Sequence, residues 1–254
     1  MQMITVKEAI EFVESNSQTG INAVKMSLKN VQGFVLSGDV VSPIDMPPFR
    51  QSAMDGYAVR VHDSEYYHVQ GELQAGDGQD FTLLKGEAVR IFTGAPVPND
   101  ANAVVIQEKT TIKKQELQVH EEVLLQSNIR PKGEQIKQGE KALTKGTVLT
   151  PAGIRFLSSL GITEVSVYTK PSIGIIATGN ELAEAGTELK HGQIYESNSL
   201  MLQTVLVRSG YTDNEIFKVP DDFNSTRTLL EEVLKSKDVV IITGGISVGD
   251  YDFV

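Results

Sequence analysis

Ile173-Gly174-Ile175-Ile176-Ala177-Thr178-Gly179-Asn180 is a short apolar run that stops in a hydroxyl, a glycine and an amide. Val239-Val240-Ile241-Ile242-Thr243-Gly244-Gly245 follows the same plan further along the chain. Each run is long enough for one buried strand and too short for a buried helix. Helical spacing lies between them. One helix is expected from Ser199 to Ser209, closed by Gly210; another is capped by Asn224 or Ser225, with Leu230, Val233 and Leu234 on one side. Continuous apolar strands alternating with helices predict a parallel α/β sheet. Ligands bind such sheets beyond the carboxyl ends of the strands, where both glycine turns fall.

Upstream of Pro171 the pattern differs. Thr5-Val6-Lys7-Glu8 is a capping box opening a helix from about Val6 to Ser15. Gly33 to Leu36 and Asp39 to Val41 read as strand candidates. From Met46 to about Lys145 the chain is a series of short apolar or alternating runs, among them Ala88–Phe92, Ala103–Ile106 and Glu116–Val119, punctuated by glycine and proline. Thr150-Pro151 then starts a helix with Ile154, Leu157 and Leu160 on one face and Gly161 at its end. The expected architecture is a multi-domain α/β plus β-rich protein. Residues 1–45 and 146–170 form an N-terminal mixed helix/strand region, 46–145 an inserted β-rich domain, and 171–254 an α/β domain that is incomplete at Val254.

Acidic residues outnumber basic ones 33 to 23, for a net charge of −10. That balance disfavours a broad nucleic-acid footprint. It leaves room for a small anion held by backbone N–H groups. No apolar run approaches the roughly 20 residues of a bilayer span. The start lacks the features of a signal peptide. The chain has no cysteine, which excludes disulfides and thiolate sites. A cytoplasmic protein without membrane contact is expected.

The stretch Pro47-Pro48-Phe49-Arg50-Gln51-Ser52-Ala53-Met54-Asp55-Gly56-Tyr57-Ala58-Val59-Arg60 is rich in special residues. Met54-Asp55-Gly56 reads as a tight turn with Gly56 at positive φ, and Tyr57 to Val61 as an alternating strand leaving it. One carboxylate, Asp55, then stands at the tip; an isolated Asp-Gly is more simply a turn cap. Thr243-Gly244-Gly245-Ile246-Ser247-Val248-Gly249 suits a phosphate cradle, although a plain turn also fits its glycines. Gly245 to Gly249 has the spacing of a hydrolase elbow too, but no histidine follows it in this sequence. Acids gather around the strand ends: Glu181, Asp221-Asp222, Asp250 and Asp252. One of the adjacent pair Asp221 and Asp222 is expected to cap a helix. Glu181, Asp221 and Asp252 beside phosphate-binding loops would suit Mg²⁺. The four histidines have no metal-ligand spacing.

The full Pro47–Arg60 string resembles the signature of the molybdopterin molybdenumtransferase family. Five further stretches match that family in order: Arg90–Glu108, Asn128–Glu134, Thr178–Leu182, Gly192–Asn198 and Thr243–Asp252. The resemblance implies a homodimer in which molybdate displaces AMP from adenylylated molybdopterin with Mg²⁺ assisting. Other molybdenum cofactor biosynthesis proteins are candidate partners. It maps nucleotide and pterin binding to Thr178, Gly179, Glu181, Ser197, Asn198, Thr243, Gly244, Gly245, Ser247 and Gly249. The functional acids it implies are Asp55, Glu181, Asp221 and Asp252, with the Thr93 hydroxyl nearby. It places Asp55 and Thr93 in the partner subunit's site. Gln135 stands where the family usually has an acid, and Asn180 and Thr243 replace a commoner Asp and Ser. Family members also continue past the position of Val254. A molybdopterin-binding module without turnover, or a fragment of the enzyme, is the alternative reading.

Overall fold

A computed structural model of the chain describes residues 4–17 and 22–245. The chain divides into two compact units, one of Met1–Met26, Val31–Ser37 and Ser166–Val254, the other of Ser27–Asn30 and Gly38–Val165.

Helix α1 (Val6–Asn16) starts where the capping box places it: the Thr5 N–H donates to Glu8 Oε2 at 2.7 Å, and the Glu8 N–H returns to Thr5 Oγ1 at 3.2 Å. None of its residues is buried. The expected strand at Gly33–Leu36 begins as a turn and pairs only at Val35 and Leu36. Phe34 N–H bonds the Val31 carbonyl and Gly33 adopts φ 76°; beyond it Leu36 bridges Val167, with the Tyr168 N–H on the Val35 carbonyl and the Ser37 N–H on the Ser166 carbonyl.

The second unit is built on a six-stranded sheet of β1 (Gly56–Val59), β2 (Tyr66–Leu73), β3 (Glu87–Ile91), β4 (Ala103–Ile106), β5 (Thr110–Lys113) and β6 (Glu116–Val119), in the order β4-β1-β3-β2-β6-β5. Every pair is antiparallel except β2 with β3. Apolar side chains pack on both faces, one set around Ala58, Val89, Ile91 and Val104, the other around Tyr57, Val59, Ala88 and Val105. Strand β1 is therefore buried along its whole length rather than alternately, because it is central and covered on both sides. Helix α2 (Pro151–Ser159) begins at Thr150, whose hydroxyl accepts the Gly153 N–H, and ends at Gly161 with φ 77°.

In the first unit three parallel strands, β7 (Ile173–Thr178), β8 (Asn214–Val219) and β9 (Val239–Thr243), run in the order β8-β7-β9. All six residues of β7 are buried. Helix α3 (Asn198–Arg208) packs along β7 and β8. Helix α4 (Phe223–Ser236) places Val233, Leu229 and Leu230 against Ile176 and Val219. The parallel sheet expected from the two apolar runs is present. Strand β8 had no counterpart in the sequence reading: Glu215 and Lys218 interrupt its apolar residues and are exposed, and only Val219 is buried. The cap of α4 is corrected as well. Asp222, not Asn224 or Ser225, precedes the helix, and its Oδ2 accepts the Ser225 N–H at 2.7 Å.

Candidate functional site

Because β7, β8 and β9 point the same way, their carboxyl ends emerge together. The register pairs Thr178 with Val219 and Ala177 with Thr243. Gly179-Asn180-Glu181, Pro220-Asp221 and Gly244-Gly245 thus leave the sheet side by side. Asn180 and Asp221 tie two of these exits reciprocally: the Asn180 N–H donates to Asp221 Oδ2 at 3.1 Å, and the Asp221 N–H to Asn180 Oδ1 at 3.2 Å. Asp222 is the helix cap of the adjacent pair; the Ser225 hydroxyl and N–H hold its carboxyl below the usual aspartate range.

Thr178 is 4 % exposed, and its hydroxyl has no hydrogen-bond partner among the described residues. Leaving such a group unsatisfied costs about 1–3 kcal/mol. Gly244 lies against it at φ 93°, and a Cβ there would sit 2.4 Å from the Thr178 carbonyl oxygen and 2.7 Å from its Oγ1. At Gly179, φ 152°, a Cβ would be 2.7 Å from Leu182 Cγ and 2.8 Å from Glu181 Oε2. Bare backbone is required at both turns.

On the β8 side of Gly179 a cleft of about 270 Å³ is bordered by Asn180, Leu182, Glu196, Lys218 and Pro220. Burial pushes the Glu196 carboxyl up, but the Ser199 hydroxyl and N–H, the Asn198 N–H and the Lys218 charge outweigh it and bring it below the usual range. Ser197 and Asn198 are exposed at the start of α3. Lys218 and Glu196 were not anticipated; reading Asn214–Val219 as a strand would have brought Lys218 to the strand end.

Glu181 and Asp221 are exposed or partly exposed oxygen donors at neighbouring strand ends, the donor type that Mg²⁺ takes. Among the described residues no three acidic or histidine side chains form a metal-holding group. Asp252, expected as the third ligand, lies outside the described residues, as do Ser247, Gly249 and Asp250.

Asp55 and Thr93 meet within the second unit. Antiparallel pairing of β1 with β3 sets Gly56 opposite Ile91, so the residue entering one strand lies beside those leaving the other. The Thr93 N–H and hydroxyl each donate to Asp55 Oδ1 at 2.7 Å. These two bonds, and then the charge of Arg90, hold the Asp55 carboxyl below its usual range. The expected turn is not there. Residues 53–55 form a bend and Gly56 is already in β1, outside the positive-φ region. Its lack of a side chain serves packing, since a Cβ would lie 1.9 Å from the Val105 carbonyl oxygen. Ser52 pairs with Ile129, and the Ala53 N–H bonds the Asn128 carbonyl, which brings the Asn128–Glu134 stretch alongside the same bend.

Residues 4–161 match the family model described as MoeA N-terminal region (domain I and II), and residues 174–254 match the one described as probable molybdopterin binding domain. A β-rich region joined to a pterin-binding type of α/β domain is thus the class to which the fold and site point. The chain belongs to the molybdopterin molybdenumtransferase family. It is 35 % identical over 259 residues to a molybdopterin molybdenumtransferase of Staphylococcus aureus (strain Mu50), covering 99 % of this chain and 62 % of that protein. It is 36 % identical over 239 residues to molybdopterin molybdenumtransferase 2 of Mycobacterium tuberculosis (strain H37Rv), covering 91 % of this chain and 59 % of that protein. A crystal structure of the molybdopterin biosynthesis MoeA protein from Pyrococcus horikoshii OT3 superposes with a TM-score of 0.86 at 34 % identity, over 96 % of this chain and 67 % of that one. The chain spans about three fifths of the length of these curated relatives. No helix among the described residues is long and apolar enough to cross a membrane.

Proposed function

We propose that this chain binds adenylylated molybdopterin at the carboxyl ends of β7, β8 and β9 and serves the transfer of molybdate into it, with AMP released as the anhydride opens. The carrying observation is the orphaned Thr178 hydroxyl facing the bare backbone of Gly244. A buried donor beside a glycine turn at a parallel strand end is half of a phosphate site, and the ligand's oxygens are what would satisfy it. Glu181 and Asp221, joined by Asp252, would hold Mg²⁺ at the anhydride phosphates, where it supplies charge neutralisation. Asp55 and Thr93 complete the site from a second copy of the chain. In this reading residues 1–45 with 146–170, 46–145 and 171–254 are its three structural parts. Helix α1 supports a homodimer: Val6, Ile10 and Val13 form an apolar stripe, 78 %, 54 % and 65 % exposed, that needs a cover. A helix of this length is marginal in water unless it is packed.

Titration calorimetry with adenylylated molybdopterin and with AMP tests the site. Gly244→Val should weaken binding by at least about tenfold, which is roughly 1.4 kcal/mol; unchanged affinity would remove the glycine turn from the site. A binding module without turnover is the second reading, favoured by Gln135, an amide where the family usually has an acid, exposed just after Glu134. Single-turnover AMP release decides between the two.

A further inference from the structure

The bend that carries Asp55 is held from a direction that neither the Asp55–Thr93 pair nor the glycine loops explain. Arg90 stands opposite Tyr57 in the β1–β3 pairing. Its guanidinium lies 5.0 Å from the centroid of the Tyr57 ring and 5.0 Å from that of Phe92. From there Nη1 donates to the Gly56 carbonyl at 3.3 Å and Nη2 to Gln107 Oε1 at 2.5 Å. The Gln107 N–H in turn donates to the Asp55 carbonyl at 3.2 Å. Arg90 thus grips the carbonyl of Gly56 directly and that of Asp55 through Gln107. The peptide cannot shift toward β4, because Gly56 already packs against the Val105 carbonyl.

Thr93 occupies one carboxylate oxygen of Asp55, and among the described residues the other, Oδ2, takes no hydrogen bond. We propose that Arg90 is the positioning residue for Asp55, aiming this free oxygen by fixing the two carbonyls that follow the Asp55 α-carbon. The inference rests on the reading of Asp55 as a functional acid. A rigid planar fork between two rings can serve two acceptors at once, whereas a lysine supplies charge without that geometry. The charged and titratable groups on the elements around the bend are Glu87 and Arg90 on β3, Tyr57 on β1, Glu108 and Lys109 on the 3-10 turn Gln107–Lys109 after β4, and Arg130, Lys132 and Glu134 in the stretch that pairs beside Ser52. Arg90 is the one whose charge acts on the Asp55 carboxyl, after the Thr93 bonds.

The test pairs a carboxyl-carbon NMR titration of Asp55 with single-turnover AMP release, in Arg90→Met, Arg90→Lys and Gln107→Ala, with thermal melts for each. Arg90→Met should raise the Asp55 titration midpoint. Arg90→Lys should restore most of that midpoint while leaving AMP release reduced on the order of ten- to a hundredfold, because a misplacement of about 1 Å is that costly. An unmoved midpoint in a folded Arg90→Met protein would overturn the proposal. Should that variant unfold, Gln107→Ala decides: it keeps the charge and the backbone N–H on the Asp55 carbonyl but removes the Oε1 by which Arg90 holds residue 107, so release should fall with the midpoint unchanged, and unaltered release would count against positioning. If the wild-type chain releases no AMP, the midpoint and the Asp55 and Gly56 amide shifts decide alone, and shifts unmoved by Gln107→Ala would refute the relay. An inert Asp55→Asn would strike the underlying reading instead, leaving the Arg90-dependent midpoint intact.

Discussion

The two sheets gather polar groups by opposite geometries. In the parallel sheet each strand end meets only the like ends of its neighbours, so Thr178, Asp221 and Gly244 arrive together at the carboxyl ends of strands running the same way. In the six-stranded sheet the antiparallel β1 and β3 bring the entrance of one strand to the exit of the other, and Asp55 meets Thr93. Their state without ligand differs too. The Asp55 bend has its bonds made internally, through Thr93, Gln107 and Arg90. The β7 end holds a buried hydroxyl with no partner among the described residues and a glycine turn pressed against it. On the proposed function, a presenting site can be complete in itself, whereas a receiving site leaves something for the ligand to satisfy.

The sharpest way to break this contrast is Gly56→Ala. A methyl 1.9 Å from the Val105 carbonyl forces β1 and β4 apart, and the loss should approach about 3 kcal/mol, the upper end for overpacking. Chemical denaturation of the whole chain measures it. A loss below about 1 kcal/mol would mean that the bend is adjustable and Asp55 is not rigidly presented.

Thr178→Val is expected to act in the other sense. Removing an unsatisfied buried hydroxyl should stabilise the ligand-free chain by about 1 kcal/mol while weakening adenylylated molybdopterin about tenfold. Denaturation and calorimetry on the same sample separate the two effects. Destabilisation instead would show that the hydroxyl already has a partner, and the contrast between the sheets would fail.

What could be read from the chain beforehand follows the same divide. The run Ile173–Thr178 was legible because every residue of it is buried, so sequence and environment agree. Strand β8 was not, because Glu215 and Lys218 break the run and only Val219 of it is buried. Gly56 was read as a turn glycine from its neighbour Asp55, yet its reason is the Val105 carbonyl on another strand, a contact no local pattern encodes. The pairing of Asp55 with Thr93 likewise depends on strand register, and only the family resemblance pointed to it. Helix caps fared better: Thr5 and Thr150 carry their signals within a few residues, and at α4 the Asp221-Asp222 pair carried the right one while Asn224 and Ser225, a turn later, carried a false one.

A smaller effect is expected from Asn180→Ala, which removes the side-chain half of the reciprocal tie to Asp221. Stability should change by less than about 1 kcal/mol, since both residues are at the surface. Affinity for the ligand should fall further than stability does, because the tie sets where Asp221 sits relative to Gly179. Equal effects on both would reduce the pair to a loop staple.

The smallest effect concerns acid, and it separates the two regions by their carboxylates. Asp222 and Asp55 both have folded-state values below the usual aspartate range, the first through the Ser225 hydroxyl and N–H, the second through the Thr93 N–H and hydroxyl. A depressed value means the ionised form is favoured by folding, so each contribution is fully present above the ordinary aspartate range. It is lost as pH falls through the folded-state value. Asp222→Asn keeps a capping oxygen for Ser225 but cannot titrate. The variant should therefore match the wild type closely near neutrality and lose less stability on acidification. Asp55→Asn should flatten the acid limb in the same way, but its amide group cannot carry the charge that the proposed transfer would use. Denaturant midpoints followed from neutral pH into the acid range, alongside AMP release, would show Asp222 moving stability alone and Asp55 moving both. Asp55→Asn altering only the acid limb would make that carboxylate a structural counterpart of Asp222, and the presenting site would lose its chemistry.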